Sequence, residues 1–145
     1  ETIDKALNLI GFQAIKKEIT ILKNLEENLY INTDRNMFIT VIRNLTSNAI
    51  KFSHRGKYIK IESLRNGNMC EIRIKDNGVG ISDKQLKKIF KIGEKTHTKG
   101  TENEKGTGLG LVLCKEFLDK NNGEIHIDSQ IDKGTTITLL FPLYL

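Results

Sequence analysis

Three short stretches of this 145-residue chain combine residue types and spacings that can do chemistry. In "NLTSNAIKFS", Asn44, Asn48 and Lys51 fall at i, i+4 and i+7, which stacks them along one edge of a helix. Asparagine is a mediocre helix former because its amide competes for backbone partners, so two aligned beside an apolar stripe call for a reason. A solvated edge with capping amides is one reading. The other is a site: Asn48 offers the neutral hard oxygen that Mg²⁺ accepts alongside phosphates and water, and Lys51 is a point charge able to reach phosphates.

The second stretch, Asp76-Asn-Gly-Val-Gly80, directly follows an alternating apolar run. A glycine-rich exit turn would carry the same residues. As a site, the paired glycines let backbone approach a flat ligand, while a carboxylate at the sheet edge accepts a hydrogen bond from it. An adenine exocyclic amine is such a donor; guanine presents a carbonyl there, which a desolvated Asp76 would repel. The third, Gly106-Thr-Gly-Leu-Gly-Leu111, lies before a helical pattern. Its GxGxG spacing with Leu111 and no preceding strand excludes a dinucleotide fingerprint, and the absence of Gly-Lys-Ser/Thr excludes a P-loop. What remains is a glycine-rich turn at a helix N-terminus, where free N–H groups and the helix dipole favour phosphate.

Elements must hold these stretches in place. Ile3, Leu7, Ile10 and Ala14 repeat at helical spacing and predict a first helix over Ile3–Lys16. Glu18–Leu22 alternates as a strand, and Leu29–Ile31 reads as a short second one. Asp34 can cap a helix whose stripe is Met37, Phe38, Val41, Ile42, Leu45, Ala49 and Phe52. A hairpin follows, Tyr58–Arg65 and Met69–Lys75, turning at Asn66-Gly67. Lys84–Phe90 predicts a short helix opened by Ser82 or Asp83, and Thr107–Lys120 a longer one stopped at Asn121-Asn-Gly123. Glu124–Ser129 and Thr135–Phe141 form a last hairpin around Asp132-Lys-Gly134. The class is α+β: a two-layer sandwich of helices on a mixed, mostly antiparallel sheet, in one domain over residues 1–145. Lys91–Lys105 is polar, glycine-punctuated and aperiodic, long enough for a functional lid or local disorder.

Bulk properties narrow the class. A hydrophobic fraction of 38% and a charged fraction of 28% suit a soluble globular chain. The net charge of +5 is spread without a dense basic run or aromatic interleaving, so nothing asks for a nucleic-acid partner. No apolar run reaches membrane-span length and no signal peptide is visible. Cys70 and Cys114, far apart, read as reduced core thiols of an intracellular protein.

Taken together and in this order, "NLTSNAIKF", "DNGVGI" and "GTGLGL" resemble the ATP-binding catalytic domain of bacterial sensor histidine kinases, within the wider family shared with gyrase, the Hsp90 chaperones and the MutL mismatch-repair proteins. The likeness covers nearly the whole chain, including the ending "DSQIDKGTTITLLFP". It implies the Bergerat α/β sandwich, ATP and Mg²⁺ as cofactors, and transfer of the γ-phosphoryl group to a histidine. Carried onto this sequence, Asn48 would coordinate Mg²⁺, Asn44 would lie by the phosphates, Lys51 would contact them, and Phe52 would border the base. Asp76 would bind the adenine amine, with Gly78, Gly80 and Ile81 shaping that pocket. Gly106, Thr107, Gly108, Leu109 and Gly110 would form the turn around the phosphates. Phe90 matches the F-box aromatic, but the family's frequent Phe-x-Pro-Phe is replaced by Phe90-Lys-Ile-Gly93. Hydrolysing relatives typically carry a glutamate at the position of Asn44, and an amide cannot serve as that general base; the catalytic pair would be Asn44 and Lys51.

None of His54, His97 and His126 has the family's acceptor context, a helical histidine followed directly by an acidic residue. The resemblance therefore implies an acceptor on dimerisation helices N-terminal to Glu1, a response regulator downstream, a cytoplasmic setting, and a monomeric fragment without membrane or nucleic-acid contact. Two rivals stand beside it: a degenerate nucleotide- or protein-binding scaffold, favoured only by the altered F box, and an ATPase of the gyrase branch, disfavoured by Asn44.

Overall fold

The computed structural model describes residues 1–91, 99–104, 106 and 108–144. The chain runs through α1 (Thr2–Asn8), α2 (Gly11–Lys16), β1 (Thr20–Leu25) and α3 (Arg35–Phe52) into the hairpin of β2 (Tyr58–Asn66) and β3 (Met69–Asp76). After α4 (Asp83–Leu86) and α5 (Gly110–Lys120) it closes on a second hairpin, β4 (Glu124–Gln130) and β5 (Gly134–Pro142). The strands form one five-stranded sheet in the order β1-β2-β3-β5-β4. Only β1 and β2 pair in parallel, because the chain between them crosses over through α3; the other neighbours are antiparallel. This is the mixed α+β sandwich that the alternation predicts.

The layers meet where α3 packs on the sheet. Phe38, Val41, Ile42, Leu45 and Ala49 of α3 are buried against Ile59 and Ile61 of β2, Ile72 and Ile74 of β3, and Leu139 and Phe141 of β5. Alternate residues Lys60, Arg73, Lys75 and Thr138 point to the other face, half-buried or exposed. α1 and α5 pack on α3, adding Ala6, Leu7, Cys114 and Leu118 to the core. Burial pushes the Cys70 thiol up to about 11 and the Cys114 thiol up to about 12, so both are unreactive packing groups.

Caps set the length of α3. The Asp34 side chain accepts the Met37 N–H at 2.8 Å, and the Asp34 N–H in turn donates to Asn121 Oδ1 at 2.7 Å. Asn121 closes α5, so the start of α3 is tied to the end of α5. At the other end Ser53 turns extended, with its N–H donating to Ala49 and Ile50 carbonyls.

Several boundaries differ from the sequence expectations. The first helix is two: Ile10 leaves helical geometry (φ −118°, ψ 3°) just before Gly11, the weakest helix former in the segment. β1 starts at Thr20 rather than Glu18, because Glu18 takes a left-handed φ of 57° to close α2. The expected strand at Leu29–Ile31 is a single bridge from Ile31 to Leu143. The short helix covers Asp83–Leu86, fixed by a reciprocal Ser82–Gln85 capping box, and the longer one begins at Gly110. Most of the polar segment Lys91–Lys105 lies outside the described residues.

Phe141 is fully buried, and its ring meets that of Phe38 edge-on at 5.3 Å between centroids. Phe141→Ala is expected to cost about 3–5 kcal/mol of stability, measured by urea unfolding; a loss near zero would mean that the two layers are not held together here.

Candidate functional site

The ends of α3, β3 and β5 converge on a cavity of about 290 Å³. Asn44, Asn48, Lys51 and Phe52 line its α3 wall, one helical turn after another. Ile74 and Asp76 of β3 and Thr135 and Ile137 of β5 form its floor, and Val79, Gly80 and Ile81 curl over one side. Gly106, Gly108, Gly110 and Leu111 close the side nearest the start of α5. One end is therefore apolar with a single carboxylate; the other carries amides, an ammonium and glycine backbone.

Asp76 is the buried acid of this floor, only 7% exposed. Its Oδ1 accepts the Gly78 N–H at 2.8 Å and the Thr135 N–H at 3.3 Å. Oδ2 makes no hydrogen bond among the described residues, so it can accept one from a ligand. Burial pushes the carboxyl above its ordinary value of 3.8, and the two amide bonds offset that only in part.

Backbone pressed against backbone holds the carboxylate there. Pairing of Ile74 with Ile137 and Lys75 with Thr136 brings Thr135 beside Asp76. Gly134, at φ +99°, allows this approach: a Cβ there would stand 2.1 Å from the Asp76 carbonyl oxygen. The loop after β3 is pinned to the β4–β5 hairpin. Gly80, at φ +71°, packs so closely that a Cβ would stand 2.0 Å from the Gln130 carbonyl oxygen. Ser129 Oγ accepts the Ile81 N–H at 2.8 Å, and the Asp132 N–H donates to the Val79 carbonyl at 2.9 Å.

On the other wall, the Lys51 ammonium sits 4.9 Å from the Phe52 ring centroid. It lies so near Gly106 that a Cβ there would be 2.4 Å from Nζ. Burial lowers the Lys51 pKa, and the charge of Glu104 opposes the shift. The buried Cys114 thiol of α5 donates to the Val41 carbonyl at 4.0 Å, three residues before Asn44 on α3.

The site residues expected from sequence thus mostly converge. Asn44, Asn48, Lys51, Phe52, Asp76, Gly80, Ile81, Gly106, Gly108 and Gly110 all line the cavity. Gly78 acts from behind, through its N–H to Asp76. Two are not brought in: Phe90 is half-buried against the core, and Leu109, preceding the first turn of α5, is 56% exposed. Thr107 lies outside the described residues. His54 and His126 are exposed and line no part of the cavity, and His97 lies outside the described residues. Sequence reasoning missed Thr135, Gly134 and Ser129; the one available signal was Gly134, which reads as an ordinary hairpin turn.

Comparison with known proteins agrees with this geometry. Residues 33–145 match the family described as histidine kinase-, DNA gyrase B- and HSP90-like ATPases. The sensor histidine kinase WalK of Bacillus subtilis is 33% identical over 135 residues, 90% of this chain and 22% of that protein. Sporulation kinase C of the same organism is 32% identical over 145 residues, 99% of this chain and 32% of that protein. The chain therefore spans less than a third of these curated relatives, 22% and 32% of their lengths. Among solved structures, a nucleotide-free form of the catalytic domain of histidine kinase ThkA superposes with a TM-score of 0.82 at 26% identity, covering 98% of this chain and 90% of that one. With its fold, its cavity and these matches in agreement, the chain belongs to the family of histidine kinase-, DNA gyrase B- and HSP90-like ATPases.

Proposed function

We propose that this chain binds Mg–ATP in the cavity and passes the γ-phosphoryl group to a histidine on a separate helical dimerisation domain of its parent protein. The observation that carries this reading is the half-used carboxylate of Asp76: two backbone amides occupy Oδ1, leaving Oδ2 for a donor on the ligand. Adenine supplies that donor in its exocyclic amine, and Val79, Ile81 and Ile137 supply apolar surface for its ring. Guanine would set a carbonyl against a buried carboxylate, an unpaired and repulsive contact.

The polar end suits the triphosphate. Lys51 supplies a cation and Gly106, Gly108 and Gly110 supply backbone without side chains in the way. The donor set fits Mg²⁺. Among the described residues no group of three or more His, Cys, Asp and Glu could hold a metal. The protein's share would thus be the neutral oxygen of Asn48, with phosphates and water completing the shell. When bound, the ion neutralises phosphate charge. Asn44 and Lys51 act as the catalytic pair by positioning the terminal phosphate. Asn44 cannot take a proton from water at neutral pH, which favours transfer to a protein side chain over hydrolysis. This chain taken by itself is monomeric and sits in the cytoplasm, upstream of a response regulator and without contact to nucleic acid or membrane, while its parent protein dimerises through the separate helical domain. No described helix is long and apolar enough to cross a membrane.

Two outcomes follow. In calorimetry with Mg²⁺, ATP binds at least about 100-fold more tightly than GTP. Asp76→Asn loses ATP by a similar factor, because its amide turns a donor toward the adenine amine. The same substitution does not lower the melting temperature of the nucleotide-free chain at pH 7. The folded carboxyl titrates above its ordinary 3.8, so its contribution to stability is full below that value and lost as pH rises through the folded one. A neutral amide keeps that contribution, and the difference from wild type closes in acid. ATP affinity unchanged in Asp76→Asn contradicts the adenine assignment.

With γ-labelled ATP and an added histidine-bearing helical domain, acid-labile label should move to that domain, and Asn44→Ala should slow the transfer about 100-fold or more. ATP turnover without the acceptor should stay near background. Steady hydrolysis without acceptor, abolished by Asn44→Ala, would place the chain in the hydrolysing branch instead.

A further inference from the structure

Lys17 is a lysine that the folded chain almost entirely buries, at 3% exposure. Lysine reaches that depth only when its charge is matched. Here the ammonium donates to the Ile50 carbonyl at 3.0 Å, the Lys51 carbonyl at 2.9 Å and Glu104 Oε2 at 2.7 Å. The first two acceptors are carbonyls in the last turn of α3, the negative end of its dipole. The third belongs to the described segment 99–104, far along the chain.

That segment docks on the same helix end. The Thr101 N–H donates to the Lys51 carbonyl at 3.0 Å, and Thr101 Oγ1 to the Ser53 carbonyl at 2.8 Å. The Glu104 carbonyl accepts the Gly100 N–H at 3.0 Å, and its Oε1 accepts the Glu102 N–H at 2.7 Å, folding the segment on itself. Arg55 and Glu102 form a second ion pair at 2.8 Å, but both are more than 40% exposed, where such a pair contributes little. The Lys17 ammonium, at 4% side-chain exposure, is the dominant tie. Two residues beyond Glu104, Gly106 meets the Lys51 ammonium.

We propose that Lys17 and Glu104 are positioning residues for the triphosphate: the pair pins segment 99–104 to the end of α3 and so sets Gly106 and the Lys51 ammonium at the polar end of the cavity. Neither residue lines the cavity. They act through Lys51 and through the backbone that leads to the glycines. The inference rests on the ATP reading above and deepens it.

The test separates the two ends of the nucleotide. Affinities of Mg–ATP and of adenosine are measured for the wild-type chain, Lys17→Met, Glu104→Gln and the double variant. Each single variant is expected to weaken ATP about tenfold with adenosine affinity unchanged, and the double variant to be no worse than either single one. A structural role alone would move ATP and adenosine together, and that result overturns the proposal. So does unchanged ATP affinity in Glu104→Gln, whose half-exposed side chain can be replaced without unfolding, even if Lys17→Met does not fold. Failure of the wild type to bind either ligand would instead overturn the ATP reading, and this inference with it.

Discussion

Asp76 places a carboxylate at the end of a central strand, almost out of water, with only one of its oxygens satisfied by the protein. Burying an ionisable acid this way is unfavourable, and burial raises its pKa accordingly. Much of the local architecture follows from that constraint. β5 must lie beside β3 to bring the Thr135 N–H into reach, and Gly134 must lack a side chain for the two backbones to meet. Gly78 supplies the second amide, and the loop it opens is held by Ser129 and the β4–β5 turn. On the proposed reading, fold stability is given up locally to hold an acceptor ready for the nucleotide, as expected where function and stability conflict.

The opposite end of the cavity is built on another principle. Among the described residues no buried acid or cation is fixed there by strands; Asn44, Asn48 and Lys51 project from one helix edge, and glycines face them. α3 thus does two jobs with two faces: its apolar stripe fastens the helices to the sheet and its polar edge lines the site. Its C-terminal carbonyls are capped by the ammonium of Lys17, so the position of the polar edge depends on contacts made far away in sequence. On the proposed reading, base recognition rests on sheet register, and phosphate recognition on a helix end and the segment docked to it.

Much of this was legible in the sequence, for physical reasons. The apolar stripe of α3 has the helical period, Asn66-Gly67 announces its hairpin, and Asp34 is a recognisable cap. The carboxylate and glycines of the 76–80 stretch sit in one contiguous run, so local reading finds them. Thr135 and Ser129 were not found because their roles come from strand adjacency, and a threonine or serine in an alternating strand reads as an ordinary surface residue. Lys17 was missed for a similar reason: nothing local distinguishes a buried lysine from a solvated one. Leu109 and Phe90 fell the other way. They belong to motifs whose neighbours line the cavity, yet Leu109 points to solvent and Phe90 to the core. Motif membership predicts a backbone position better than it predicts where each side chain goes.

The most direct measurement is a crystal structure of this chain with Mg²⁺ and a non-hydrolysable ATP analogue. The account predicts the adenine amine within about 3 Å of Asp76 Oδ2, the ring between Val79, Ile81 and Ile137, and the metal on the Asn48 oxygen and the phosphates. A nucleotide bound with its base away from Asp76, or with the phosphates at the Asp76 end, would contradict it.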